Sequence, residues 1–313
     1  MSILNSIELS IVIPVYYENE ILTDLVTSIV QELESICPRY EIVFVNDNLP
    51  DITWDKIISL SKEFPFIKGI CLSRNFGKEA ALSAGIEVAT GAAVIVMDGD
   101  LQHPPSLIPT MLMEWRKNHF DVVEGVKVRR GNEKFTNKIG SKLFYMILDK
   151  LSGYSLGGAS DFKLMDRKVV NELLKMRERN LFFRGMAAWL GFNRLQIPFD
   201  VQDRITGVSK WSTKQLFLLA IKGITSFSSL PLHIISIIGY LFLIFSIIFS
   251  IYAIILKIAG IALSGFTTVI ILLLFIGSLL MISMGIAGEY IARIYEEVKG
   301  RPRYVVADRL DKR

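Results

Sequence analysis

The sequence predicts an α/β domain built on a mostly parallel sheet, followed by a two-helix transmembrane hairpin. Three observations predict it. Short β-branched runs alternate with amphipathic stretches over residues 9–130. Two long uncharged apolar runs follow near the C-terminus. The 313 residues are 51% hydrophobic, and the mean hydropathy of +0.42 is high for a soluble globular chain, so those two runs must carry the excess.

The elements can be justified in order. Leu9–Val15 (LSIVIPV) reads as a buried strand. Ile21, Leu25, Val26, Ile29, Val30 and Leu33 follow at helical spacing. Ile42–Val45 is a second strand, Ile57–Phe64 a helix and Ile67–Leu72 a third strand. Ala80–Val88 is helical, Ala93–Met97 a fourth strand and Phe120–Val126 a fifth. Continuous β-branched strands alternating with helices indicate a sheet covered on both faces. No internal repeat is visible.

Residues Ile234 to Leu256 carry no charge, and neither do Ile258 to Gly288. Each run exceeds the roughly 20 residues that span a bilayer core as a helix. A buried core helix is the alternative, but such helices are rarely so long and so uniformly apolar. The link from Lys257 to Phe266 is short, so both flanks lie on one side. Lys210, Lys214 and Lys222 precede the pair; Arg293, Lys299, Arg301, Arg303, Arg309, Lys312 and Arg313 follow it. Positive charge therefore puts both termini in the cytoplasm. The opening residues lack the basic and apolar pattern of a signal peptide, in agreement. Gly277, Ser278, Ser283, Gly285 and Gly288 allow close helix packing and hence a homo-oligomer.

Composition excludes several classes. A net charge of +4 is too mild for a nucleic-acid partner. Two cysteines exclude a disulfide scaffold. Cys37 and Cys71 are expected as reduced thiols, Cys71 in the core. No G-x-G-x-x-G follows the first strand, which argues against a dinucleotide fold. Leu72 stands where a P-loop needs its first glycine.

Ligands of such sheets bind outside the carboxyl ends of the strands. There the sequence places Pro14-Val15-Tyr16-Tyr17-Glu18, Asn46-Asp47, Ser73-Arg74-Asn75-Phe76-Gly77-Lys78 and Asp98-Gly99-Asp100. Acids, aromatics and a lysine converge on one rim. With no Gly-rich loop, a divalent cation held by carboxylates is the expected means of handling phosphates. Gly99 is expected to allow the sharp turn that aims Asp98 and Asp100 at one ion.

These strings, together with Asp98-Gly99-Asp100-Leu101-Gln102 and Asp161-Phe162-Lys163-Leu164-Met165-Asp166-Arg167, resemble glycosyltransferase family 2. The two spans and the ending Gly288-Glu289-Tyr290-Ile291-Ala292-Arg293 resemble its polyprenyl-phosphate branch, bactoprenol glucosyltransferases above all. The resemblance covers nearly the whole chain. It implies a GT-A fold over 1–210, an interfacial amphipathic segment 211–231, spans 232–257 and 266–288, and a cytoplasmic basic tail 289–313. It implies inverting transfer from a nucleotide sugar, such as UDP-glucose, to undecaprenyl phosphate on the inner (plasma) membrane, with Mg2+ or Mn2+ and the lipid bilayer as partner.

Site roles follow from the resemblance. Pro14, Tyr16, Glu18, Asp47, Lys78 and Asp98 match nucleotide-sugar positions. Asp98, Asp100 and Gln102 match metal ligands. Arg204, Ser209 and Lys210 match the acceptor-phosphate loop, with Arg129 and Arg130 as further candidates. Asp161, Asp100, Arg204 and Lys210 form the implied catalytic set. An acceptor phosphate with a second pKa near 6 is already largely dianionic, so Asp161 is expected to orient, with a general-base role left open.

Four positions depart from the family pattern: Tyr17, Asn48-Leu49-Pro50-Asp51, His103 and Ser160. His103 is expected as a solvated loop residue. Two other readings stand beside the main one. One is the same fold using a polysaccharide acceptor; the other is a catalytically silent sugar-nucleotide-binding scaffold.

Overall fold

The computed structural model describes residues 6–48, 51–129, 160–176, 178, 183–200, 230–260 and 265–310. The chain divides into two compact units. One comprises Met1–Ser212 with Arg301–Arg313, the other Thr213–Gly300.

The first unit opens with β1 (Leu9–Val15), α1 (Leu22–Leu33), β2 (Tyr40–Asn46), α2 (Ile52–Glu63), β3 (Ile67–Leu72), α3 (Lys78–Val88), β4 (Ala93–Val96) and α4 (Ile108–Asn118). It continues with β5 (Val122–Arg129), β6 (Lys163–Asp166), α5 (Arg167–Lys175), α6 (Phe183–Trp189), β7 (Arg194–Asp200) and finally β8 (Val306–Leu310). The eight strands form one sheet in the order β7-β5-β6-β4-β1-β2-β3-β8.

The predicted elements are present. β1, β2, β3 and β4 run parallel. Nearly all their residues are buried, on both faces, as their largely apolar runs require. One core layer joins α1, α2 and α4 to the sheet through Leu25, Ile29, Ile57 and Met111. The other joins α3, α5 and α6 through Leu82, Val169 and Met186. α2 starts earlier than the apolar spacing indicates, because the Asp51 side chain caps it by accepting from Thr53 N at 3.3 Å.

Three strands were not expected. β6 is antiparallel and separates β4 from β5, so the sheet is mixed. β7 forms one edge, the place in a sheet where a proline such as Pro198 is tolerated. β8 forms the other edge, antiparallel to β3. The segment expected as a basic tail thus starts as helix and ends as a sheet strand. Cys37 and Cys71 are free and buried.

β6 carries an ion pair inside the core. Lys163 Nζ lies 3.0 Å from Glu124 Oε1, and both side chains are fully buried. Removing one partner strands a buried charge. Lys163→Met is expected to cost about 3 kcal/mol, part of the loss being offset by Arg194, 4.0 Å from the other Glu124 oxygen. Pairing it with Glu124→Leu should restore most of that stability, as read by thermal unfolding.

The second unit holds α7 (Leu230–Ile258) and α8 (Phe266–Val298). Phe242 and Phe275 bring the two helices together, with ring centroids 5.4 Å apart. Leu232–Leu256 and Phe275–Val298 are long and apolar enough to cross a membrane, and 0% of either stretch is buried. That exposure is unlike the core helix of a soluble domain, which is mostly buried. α8, at 33 residues, outruns a bilayer core of about 30 Å at 1.5 Å per residue.

Candidate active site

The carboxyl ends of β1 to β4 enclose a cleft of about 300 Å³. Pro14, Tyr16, Glu18, Asp47, Lys78, Asp98 and Asp100 all line it, so seven of the predicted residues meet in one place. Asn75 and Gly77 line it too. Asn75 lies inside the Arg-Asn-Phe-Gly-Lys string, the signal in the sequence that points to it.

Lys78 is the hub. Its Nζ lies 2.5 Å from Asp98 Oδ1 and 2.6 Å from Asp161 Oδ2. It therefore joins the turn after β4 to the residue two before β6. Burial would lower the Lys78 pKa, but the two carboxylates more than reverse this and raise it above the usual lysine range. Burial pushes the Asp98 carboxyl up, and the ammonium outweighs that, holding it below the usual carboxylate range.

Asp47 acts on the neighbouring loop. Its two oxygens accept from Phe76 N and Gly77 N, each at 2.8 Å. Burial raises its pKa despite these two bonds. Gly77 caps α3 with φ +94°, a conformation that L side chains rarely adopt. Lys78 is the first residue of that helix, so its charge and the helix N-terminus face the same cleft.

The turn after β4 differs from expectation. Its left-handed residue is Leu101, at φ +59°, not Gly99. At Gly99 a Cβ would lie 2.4 Å from Glu18 Oε2, the end of a flexible side chain that would have to shift, and 3.1 Å from a Val15 methyl. Gln102 N donates to Asp100 Oδ1 at 3.1 Å and tightens the turn.

His103 is also corrected. It is buried, with 1% exposure. Its Nδ1 accepts from Asp98 N at 3.0 Å, which leaves the proton on Nε2. Its ring stacks on Phe162 at 5.0 Å. It thus braces Asp98 on one side and the neighbour of Asp161 on the other. His103→Phe keeps the ring and leaves the Asp98 N–H unpaired; it should lower kcat/KM about tenfold and stability by about 1 kcal/mol. His103→Ala should also destabilise, by about 2 kcal/mol, through the cavity left against Phe162. Steady-state kinetics beside thermal unfolding separates the two effects.

Two other departures meet each other. Tyr17, at φ +57°, accepts at its hydroxyl from Asn48 Nδ2 at 2.7 Å. Ser160 Oγ accepts from Phe162 N at 3.0 Å and fixes the turn that carries Asp161. Leu49 and Pro50 lie outside the described residues.

The donor set suits a hard divalent cation. Asp98 and Asp100 offer carboxylate oxygens from one turn. Among the described residues no three acids, histidines or cysteines converge into a complete metal cage. A magnesium-type site needs only one or two carboxylates plus substrate phosphates, so the residues fit. Arg129 ends β5 in register with Asp200. Arg130, Arg204, Ser209 and Lys210 lie outside the described residues, as does the expected interfacial segment up to residue 229.

Residues 10–174 match glycosyl transferase family 2. The uncharacterized glycosyltransferase sll0501 of Synechocystis sp. is 39% identical over 305 residues, 97% of this chain and 96% of that protein. The bactoprenol glucosyl transferase of Shigella phage SfX is 35% identical over 305 residues, 96% of this chain and 99% of its own. Among solved structures, mannosyl-3-phosphoglycerate synthase from Rubrobacter xylanophilus aligns with a TM-score of 0.46 and 16% identity, over 69% of this chain and 71% of that one. The profile match and the near-full-length relatives place this chain in glycosyltransferase family 2, as a glycosyltransferase with a GT-A-like mixed sheet.

Proposed function

We propose that the protein transfers a sugar from a nucleotide sugar to a polyprenyl phosphate at the membrane surface, with inversion at the anomeric carbon. UDP-glucose is the donor and undecaprenyl phosphate the acceptor on this reading. The observation that carries it is the cleft where Lys78 ties Asp98 of the D-x-D turn to Asp161, on a chain with two membrane-scale helices. A relative named bactoprenol glucosyl transferase, aligned over 99% of its length, supports the acceptor class. The linked acids favour an active enzyme over a silent scaffold.

The chemistry is a single displacement. An acceptor phosphate oxygen attacks the anomeric carbon. The bond from that carbon to the nucleoside diphosphate breaks, and the diphosphate leaves with the electron pair. Asp98, Asp100 and Gln102 would hold a divalent cation, which when bound neutralises charge on the leaving diphosphate. Lys78 and the α3 N-terminus add positive potential in the same cleft. Asp161, paired with Lys78 at 2.6 Å, is suited to orient and balance charge. Arg129, Arg130, Arg204, Ser209 and Lys210 are assigned to the acceptor phosphate.

Topology supports the membrane setting. Residues before and after the helix pair belong to one compact unit, so an even number of crossings separates them. Two spans satisfy this, and the basic flanks favour the cytoplasmic side.

Product analysis tests the reading. Undecaprenyl phosphate, UDP-glucose and Mg2+ should give an organic-extractable lipid with one β-linked glucose by proton NMR. EDTA should abolish it. An α-linked product would contradict the single displacement.

A further inference from the structure

The C-terminal residues follow α8, yet they complete the catalytic sheet. β8 pairs with β3 through Gly69↔Leu310, Ile70↔Arg309, Cys71↔Asp308 and Leu72↔Val306. Past the end of β3, Ser73 N donates to the Val305 carbonyl at 2.9 Å. Trp54 Nε1 on α2 donates to Asp308 Oδ2 at 3.2 Å. The Tyr304 hydroxyl bonds Glu87 in the last turn of α3. Arg303 donates to the Met176 carbonyl just beyond α5.

These contacts grip both elements that flank one loop. That loop, residues 73–77, connects β3 to α3. It presents Phe76 N and Gly77 N to Asp47 and launches Lys78 toward Asp98 and Asp161. β3 fixes its start and α3 its end, and the C-terminal segment holds both.

The segment contributes little to the core. In β8, Ala307, Asp308 and Arg309 are exposed, and only Val306 and Leu310 are half-buried. Its hold on the protein is ladder bonds, a few side-chain bonds and the packing of Tyr304, Val306 and Leu310 at the rim of the core. Losing it would uncover a sheet edge more than a core, so the loop should loosen before the fold fails.

We infer that residues 301–310 are positioning residues of the donor site, fixing the 73–77 loop so that Lys78 bridges Asp98 and Asp161. The kinetic part of this inference rests on the donor-site reading above. The geometric part does not. A strand that completes a sheet edge can also be supplied as a separate peptide, which gives the inference a direct test.

The experiment uses the full chain in detergent, a chain ending at Gly300, and the full-length double variant Tyr304→Phe/Asp308→Ala. Hydrogen–deuterium exchange is followed on peptides covering residues 73–80. Without the strand, exchange of the Phe76 and Gly77 amides should rise about tenfold or more, and the double variant should fall between. Donor KM for UDP-glucose should rise about tenfold while the KM for undecaprenyl phosphate stays unchanged. A synthetic peptide of residues 301–313 should restore both in the shortened chain. The double variant keeps the test open if the shortened chain fails to fold.

Unchanged exchange at residues 76 and 77 in the double variant would overturn the inference. So would a loss of active fraction with donor KM unaltered, because that is a purely structural role. If exchange rises as expected but the wild-type chain transfers sugar from no donor, the functional reading fails and the positioning role stands.

Discussion

Lys78→Met is expected to lower kcat/KM by about 10²–10³-fold, the scale for losing a positioned charge in a catalytic cleft. The ammonium is the cation that joins Asp98 to Asp161, at 2.5 and 2.6 Å. Without it, two partly or fully buried carboxylates face each other with nothing between them. Burial and mutual repulsion then both raise their pKa values.

The sign of the pH effect follows. In the wild type the Asp98 pKa is lowered. Asp98 therefore contributes stability that is present above the unfolded value of about 3.9 and is lost as pH falls through the lower folded value. The variant lacks that contribution, and its carboxyls protonate at higher pH than in the wild type. Its stability deficit against the wild type should therefore be largest near pH 7 and shrink toward pH 3, by thermal melts across pH 3–7. Lys78→Arg should rescue only in part, since a planar fork does not replace a point charge. Wild-type activity in Lys78→Met would remove the hub from the account.

Asp161→Asn is the second large effect. The carboxylate is buried, with 4% exposure, and already committed to Lys78. The acceptor phosphate needs little help to ionise, because its second pKa is near 6. An orienting Asp161 predicts a fall of about 10²-fold in kcat with the acid limb of the pH profile still near 6, set by the acceptor. Asn keeps the size and one acceptor oxygen but loses the charge that balances Lys78. A general base predicts a different result: the acid limb would move or vanish with the carboxylate. The pH dependence of kcat in the variant separates these two roles.

The legible parts of the molecule were those written locally. β1 to β4 are largely apolar runs, and each delivers its own polar residues to the rim. That is why seven cleft residues could be read from strand ends alone. β6 was missed because it is only four residues long and opens on Lys163, whose burial depends on Glu124 on another strand. β8 was missed because Val306-Ala307-Asp308-Arg309-Leu310 is short, carries two charges side by side and sits in a basic stretch. Only its partner β3, far away in the chain, makes it a strand.

The site shows the same division. The acids of the D-x-D turn were visible as a short motif after a strand. The Lys78 bridge was not, since it joins three separate loops. His103 looked solvated because its neighbours in sequence are loop residues. Its actual neighbours are Phe162 and Phe199, brought in by β6 and β7. The close approach at Gly99 also involves a residue distant in the chain, Glu18, and not the turn itself.

The central claim is sugar transfer to a lipid phosphate in this cleft. The most direct measurement incubates the full chain in detergent with undecaprenyl phosphate, Mg2+ or Mn2+ and a panel of labelled nucleotide sugars, with Asp100→Ala alongside. Label should enter the lipid phase from one donor, and both EDTA and the variant should abolish it. Transfer from no donor, with nucleotide binding intact, would contradict the claim and favour the silent scaffold or another acceptor.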